Sequence, residues 1–453
     1  MIFFYQNITA RKWIINLYYL FFITGFSIVF SACSIQSKIS KQANNLLIKN
    51  PDLLSANVGI CIYDPQKNKY LYQHNSKKYF VPASNTKIMT CYAAMRYLGD
   101  SLVGARVATK GNDIILLPTG DPTLLHPDFA ESPVINYLRS IDHSKNIILN
   151  DNNFQDEIYG EGWSWDDYME DYMQERSALP IYANMVTFSG TKAHYNVYPA
   201  VKAHIETDST FPADAYLGKV TRALGTNNYR LIFNTKKDTS LSIPFSTANG
   251  ESNAALLADV LKSKVTRVHI LPAETTLQYT VIKSQPTDTL LKIMMHRSDN
   301  FFAEQTLFMV SNEKLGVMND AMIIQTLLET DYKDIPQKPR WVDGSGLSRF
   351  NLFTPQDFVY VLNKIKNEFS WQRITTIFAT SGSGTMSNYD PATKDRIYAK
   401  TGTLSNNAAL SGYVITNKGR TLIFSCLVGN HTTSASEIRK NIVKILRNLI
   451  EKY

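Results

Sequence analysis

Cysteine is scarce in this chain, with 4 in 453 residues. Cys33, Cys61, Cys91 and Cys426 show no paired spacing, which removes the signature of zinc ribbons and of thiol oxidoreductases. Histidine is equally sparse, 8 residues scattered without a His-Glu-x-x-His element, so a metal-hydrolase site has no support. No metal and no cofactor is expected. No Gly-x-Ser-x-Gly elbow and no Gly-x-x-x-x-Gly-Lys-Ser/Thr loop occurs, which sets aside the α/β-hydrolase nucleophile and the phosphate-binding loop. Lys and Arg exceed Asp and Glu by a formal +8, but no dense basic run marks a nucleic-acid groove. The bias reads instead as weak attraction to an anionic surface, a polyanionic wall or a lipid headgroup layer. Internal repeats and low-complexity tracts are absent.

What is present begins with size. A chain of 453 residues with 44% hydrophobic content can build two or three cored domains. Arg11 and Lys12 precede a nearly unbroken apolar run from Trp13 to Phe30, followed by Ser31-Ala32-Cys33-Ser34. A charged start, an apolar stretch and small residues make an export signal, with an uncleaved membrane anchor as the alternative. Small residues before a cysteine at the end of such a run resemble a bacterial lipoprotein processing site, so lipid attachment at Cys33 is expected. The body of the protein then lies outside the cytoplasm, periplasmic or within the cell envelope. Cys61, Cys91 and Cys426 each sit in an apolar stretch and read as buried thiols, with one disulfide as the alternative.

After a polar tether and a short helix within 34–55, Ala56–Asp64 and Lys69–Gln73 read as a hairpin. From Ser84 to Leu98 the chain reads as a helix apolar almost all round, closed by Gly99. Residues 102–275 change to short strand-like runs, among them Ala105–Thr109, Asp113–Leu117, Tyr195–Tyr198 and Tyr229–Phe233, with a helix or two. Helical spacing returns at Thr287 and breaks at Ser298-Asp299-Asn300. Arg396–Leu404, Ala408–Thr416 and Arg420–Val428 read as three antiparallel strands. A final helix carries Ile438, Ile442, Ile445, Leu446 and Leu449 on one stripe, and a sheet is its obvious partner. The expected organisation is a signal segment 1–33, a catalytic unit in two parts, 34–101 and 276–453, and a mainly β insertion over 102–275.

Three short elements carry the chemistry: Ser84-Asn85-Thr86-Lys87, Ser298-Asp299-Asn300 and Lys400-Thr401-Gly402-Thr403. A serine hydroxyl is a weak nucleophile until a base takes its proton. Lys87, three residues on, shares a helix face with Ser84. Burial and a second cation such as Lys400 would lower its pKa enough to act as base. The Ser84 N–H at a helix start, with that of Thr403, could cradle an oxyanion. Ser298 can relay a proton to a leaving amine, and Asn300 can hold Lys87 and a substrate amide. Lys400 and Thr401 can hold a substrate carboxylate, and Gly402 would allow close approach of a substrate backbone.

The trio, with Gly120-Asp121-Pro122-Thr123-Leu124, Gly162-Trp163-Ser164-Trp165-Asp166-Asp167, Asp343-Gly344-Ser345-Gly346-Leu347-Ser348-Arg349 and Leu410-Ser411-Gly412-Tyr413-Val414, resembles the class C low-molecular-mass penicillin-binding proteins, the D-alanyl-D-alanine carboxypeptidase/endopeptidase family. The long gap between the first two elements of the trio is similar to that family's, which carries a large insertion there. The resemblance implies a serine β-lactamase/transpeptidase-like α/β (α+β) catalytic domain, a five-stranded antiparallel sheet between helix layers. It implies Ser84, Lys87, Ser298, Asn300 and Lys400 as catalytic residues, and Asp299, Thr401, Gly402 and Thr403 as substrate-binding ones. The substrate would be a peptidoglycan stem peptide, and β-lactam antibiotics would acylate Ser84. A β-lactamase or esterase on the same fold, and a non-catalytic wall-binding protein, are the alternatives; a homodimer is left open. The Asp343–Arg349 loop reads as a turn beside the site, and Trp163 and Trp165 as packing at a domain junction.

Overall fold

The computed structural model describes residues 36–141, 145–208, 210–236, 240–269 and 277–453. The apolar run Trp13–Phe30 and Cys33 lie outside the described residues. Among the described residues no helix is long and apolar enough to cross a membrane.

The catalytic half is built on one antiparallel sheet in the order Ala379–Thr380, Ile397–Leu404, Asn407–Ile415, Thr421–Gly429, Asn57–Asp64, Lys69–His74. Five strands are long, as expected. The sixth is a two-residue edge strand too short to signal in the sequence. Alternation sends Val58, Ile60 and Ile62 to one face and Cys61 to the other. Strand Thr421–Gly429 is buried along almost its whole length, because helices cover both faces. One face takes the C-terminal helix Ala435–Lys452, whose Ile438, Ile442, Ile445, Leu446 and Leu449 are buried there together with Ile39, Ala43 and Leu47 of the helical segment 36–48. The opposite face takes helices Lys87–Tyr97, Asn300–Leu315 and Pro355–Glu368.

The chain's beginning and end thus share one sheet, with Asn57–Asp64 paired to Thr421–Gly429. Between them, Val265–Val268, Asn146–Asn150, Asp113–Pro118, Ser101–Lys110 and Thr280–Pro286 form a mixed five-stranded sheet. Two three-stranded sheets, His204–Thr207/Asn228–Asn234/Tyr216–Arg222 and Leu241–Pro244/Met185–Gly190/Tyr195–Tyr198, pack with it around a common core that includes Phe188, Leu217, Tyr229, Leu231 and Phe245. Strands Met185–Gly190, Tyr216–Arg222 and Thr280–Pro286 were not legible in the sequence. In the latter two, Gly218, Lys219 and Lys283 interrupt the apolar residues, so no clean period of two emerges; Met185–Gly190 alternates but buries only Val186 and Phe188, too short a run to stand out.

Cys61, Cys91 and Cys426 are free and buried. Burial pushes each thiol up to about 12, which leaves them as inert apolar filling.

Candidate active site

The nucleophile segment departs from the simple helix expected from Ser84. Ala83–Thr86 forms a 3-10 turn, and the α-helix begins at Lys87. Ala83 takes a φ of +50° although it is not glycine, a local strain held by its surroundings. Gly346 (φ +83°) packs so tightly here that a Cβ would stand 2.0 Å from the Ala83 carbonyl oxygen. The Asp343–Arg349 loop therefore clamps the turn that presents Ser84.

Lys87 is fully buried, and its Nζ makes three hydrogen bonds. It donates to Ser84 Oγ at 3.0 Å, to Asn300 Oδ1 at 2.7 Å and to the Ser345 carbonyl at 2.8 Å. Burial lowers its pKa to about 8, against the opposing pull of Asp343, Glu304 and Asp299. Roughly one Lys87 in ten is then neutral at pH 7, a usable population for a general base.

Lys400 arrives on strand Ile397–Leu404. It is also fully buried, and it donates to Ser298 Oγ and to the Thr401 carbonyl, each at 2.8 Å. Burial lowers its pKa well below the ordinary lysine value, and the nearby charges of Lys87 and Arg439 push the same way. Ser298 holds a φ of +63°, the left-handed end of helix Thr287–Arg297. That conformation turns the chain sharply, so Ser298 faces Lys400 while Asn300 opens the next helix and faces Lys87.

Several candidates also serve the local fold. Asp299 was read as substrate-binding; its carboxylate caps helix Asn300–Leu315, accepting from Phe302 N at 2.9 Å. A Cβ on Gly402 would meet the protein's own Pro82 carbonyl at 2.8 Å and Asn85 Nδ2 at 3.1 Å. The missing side chain admits the nucleophile segment, with Asn85 Nδ2 donating to the Lys400 carbonyl at 2.9 Å. Thr401 Oγ1 bonds Thr385 Oγ1 at 2.7 Å, and Thr403 is exposed. Asn300 Nδ2 donates to the Tyr172 carbonyl at 3.0 Å, tying the inserted half to the site. The structure thus joins Ser84, Lys87 and Asn300 in one hydrogen-bonded group and Ser298, Lys400 and Thr401 in another, with the two lysines close enough to repel, and Thr403 follows on the same strand. The edge of strand Ile397–Leu404 is paired only at Tyr398 and Ala399, so from Lys400 onward no described strand covers it.

Residues 39–449 match the D-Ala-D-Ala carboxypeptidase 3 (S13) family. The chain belongs to this family. It is a serine-type D-Ala-D-Ala carboxypeptidase, a hydrolase of peptidoglycan stem peptides. A D-alanyl-D-alanine carboxypeptidase of an Actinomadura species is 25% identical over 448 residues, covering 86% of this chain and 80% of its own. D-alanyl-D-alanine carboxypeptidase DacB of Haemophilus influenzae is 25% identical over 448 residues, covering 87% and 90%. The crystal structure of penicillin binding protein 4 (dacB) from Haemophilus influenzae superposes with a TM-score of 0.69 at 22% identity, covering 91% of this chain and 98% of that one. That protein has also been solved complexed with a β-lactam. The likeness shows the penicillin-recognising fold with its insertion.

In this S13 chain the sequence reading missed the supports of Lys87. Glu304 Oε1 accepts from Ser345 N at 2.7 Å, and its other oxygen lies 3.4 Å from Arg176 Nη1. Arg176 is itself buried between Asp156 and Asp320. Burial and Asp343 raise Glu304 to about 7, with Arg176 opposing. One signal was available: Phe301-Phe302-Ala303-Glu304 puts a carboxylate in a helix that is otherwise buried all round, which requires a buried partner. Asp343 accepts from Gly346 N, Ser348 N, Asn351 Nδ2 and Trp163 Nε1 at 2.6–3.0 Å. The loop is structural, as expected, and it also supplies the Ser345 carbonyl to Lys87. Trp163 packs at the junction; Trp165 is 73% exposed.

Proposed function

We propose that Ser84 Oγ attacks the carbonyl carbon of the penultimate D-alanine of a stem peptide, giving its proton to neutral Lys87. The observation that carries this reading is the 3.0 Å bond between Lys87 Nζ and Ser84 Oγ, with Lys87 buried and its pKa lowered to about 8. Developing negative charge on the carbonyl oxygen would be met by the N–H groups of Ser84 and Thr403. As the tetrahedral intermediate collapses, the carbon–nitrogen bond breaks. The proton held by Lys87 passes through Ser298, which Lys400 Nζ orients at 2.8 Å, to the leaving amine, so Lys87 is neutral again. Water then attacks the acyl carbon and gives its proton to Lys87; the acyl carbon–Oγ bond breaks as that proton returns to Ser84 Oγ, which releases the acid and restores Ser84.

A substrate backbone laid along the open edge at Thr401–Thr403 would extend the sheet. Its carboxylate would lie towards Lys400 and Thr401. The same reaction serves a free D-alanine end, a carboxypeptidase step, and a cross-link, an endopeptidase step, since both cut the bond after that D-alanine. A β-lactam would acylate the same Ser84, in keeping with the β-lactam complex of the Haemophilus influenzae relative. Access to the cleft is proposed to be shaped by the insertion, 102–275, through contacts such as Tyr172 to Asn300.

The proposal extends to export by the Trp13–Phe30 run and lipid attachment at Cys33. The helical segment that docks on the catalytic sheet begins by residue 36. Three residues of chain span at most roughly 10 Å, so a lipid there would hold the catalytic half against the bilayer.

Labelling of purified protein with fluorescent penicillin, followed by peptide mapping, tests the reaction. A label on Ser84 that is lost in Ser84→Ala is expected. Folded protein that neither takes the label nor consumes the drug overturns the assignment. For the anchor, detergent-extractable protein should become free in Cys33→Ala; an unchanged distribution argues for an uncleaved span.

A further inference from the structure

The proposed scheme leaves one cation in the cleft unexplained. Arg439, half-buried on the C-terminal helix, reaches strand Ile397–Leu404, where Nη1 donates to Thr403 Oγ1 at 2.8 Å and to the Gly402 carbonyl at 3.3 Å. Its Nε is buried and meets the strict geometry of no hydrogen bond, with the Tyr389 hydroxyl as its polar neighbour. No carboxylate among the described residues forms an ion pair with it. Its charge and that of Lys400 repel each other across the strand. The acids of the site, Asp343, Glu304 and Asp299, gather instead around Lys87. A half-buried arginine beside a fully buried lysine, with no ion-paired carboxylate of the described residues on either, leaves a local excess of positive charge that an anionic ligand would offset.

We propose that Arg439 is a specificity-determining residue that binds, together with Thr403 and Lys400, the carboxylate α to the scissile nitrogen. The inference rests on the reaction proposed above and adds the group that reads its leaving side. That carboxylate is common to a terminal D-alanine and to the D-centre of a diamino acid at a cross-link, so Arg439 serves both cuts. A guanidinium offers a planar pair of donors to a carboxylate, and Nη1 already lies on the hydroxyl of the open strand where the carboxylate would arrive. The incoming anion would also favour the ammonium form of Lys400, which burial and the two cations disfavour in the free protein.

The test compares hydrolysis of an acyl-D-alanyl-D-alanine peptide with the same peptide ending in D-alaninamide, in wild type, Arg439→Ala and Arg439→Lys, with thermal unfolding of each. Arg439→Ala should lower kcat/KM for the free acid roughly 10- to 100-fold and for the amide less than about 3-fold. Arg439→Lys should recover part of the loss on the acid alone. Equal losses on both substrates would mean that Arg439 only braces the strand, and no loss on either would remove it from the site; each overturns the inference. If Arg439→Ala unfolds, the acid-to-amide ratio of Arg439→Lys decides in its place: an unchanged ratio overturns the inference. Wild type that cleaves neither peptide refutes the reaction itself, a distinct outcome.

Discussion

Lys87 and Lys400 are the same residue type, equally buried, and each donates to a serine hydroxyl, at 3.0 Å and 2.8 Å. Their electrostatic settings are opposite. Asp343, Glu304 and Asp299 oppose the effect of burial on Lys87 and keep it near 8. Only cations, Lys87 and Arg439, bear on Lys400. One end of the cleft is therefore a proton-transfer site balanced by the protein's own acids. The other is a positive hole that a ligand must balance. Identical burial does not assign a lysine its role; the charges placed behind it do.

The comparison breaks most visibly if the two lysines are removed in turn. Lys87→Met should cut the rate of Ser84 acylation roughly 10²- to 10⁴-fold, measured with fluorescent penicillin, since general-base catalysis contributes about that much. Lys400→Met should instead weaken apparent affinity for carboxylate-bearing ligands more than it slows acylation by a carboxylate-free one. Acylation by Lys87→Met within tenfold of wild type would end the assignment of Lys87 as base.

Next in size is the clamp behind Lys87. Gly346→Ala forces a side chain into a left-handed position 2.0 Å from the Ala83 carbonyl. A loss of about 2–4 kcal/mol in urea unfolding is expected, with slower acylation. Stability within 0.5 kcal/mol of wild type would show that the turn at Ala83 yields at little cost.

The acid side sets a pH dependence. The base form of Lys87 accumulates as pH rises through about 8, so the acylation rate should climb over that interval and flatten above it. Glu304→Gln keeps an acceptor for Ser345 N but removes an anion that favours the Lys87 ammonium. The limb should move to lower pH, by roughly one unit or less. Because Glu304 is raised to about 7, the difference should shrink below that pH, where the wild-type carboxyl is neutral as well. A limb that stays in place, or moves to higher pH, would show that Glu304 does not set the charge of Lys87.

The smallest effect belongs to Trp163→Phe. It removes one of four donors to buried Asp343, worth about 1 kcal/mol of stability, and should leave acylation at fixed pH nearly unchanged.

Much of the catalytic half was legible. The five long strands, the stripe of the last helix and the three elements around Ser84, Ser298 and Lys400 are local patterns that their own residues announce. The inserted half was less legible. Strands such as Tyr216–Arg222 interrupt their apolar alternation with Gly218 and Lys219, and they gain order by pairing with segments far along the chain. The resemblance implies Asp299 as a substrate contact, and Gly402 reads as room for a substrate backbone; neither reading includes the cap or the packing against Pro82 that the fold gives them. A cap and a close backbone approach depend on where the next helix and the nucleophile segment fall, which spacing does not reveal.

The sequence by itself determined the chemistry of the nucleophile, the family and the elements of the sheet. These follow from residue type and short-range periodicity, which act within a turn or a strand. Only the tertiary structure decided which charges face each lysine. Glu304, Asp343 and Arg176 meet behind Lys87, and Arg439 comes from the far end of the chain to stand beside Thr403. Coulomb interactions depend on distance through the folded interior, not along the chain, so packing alone sets apart the two lysines of this cleft.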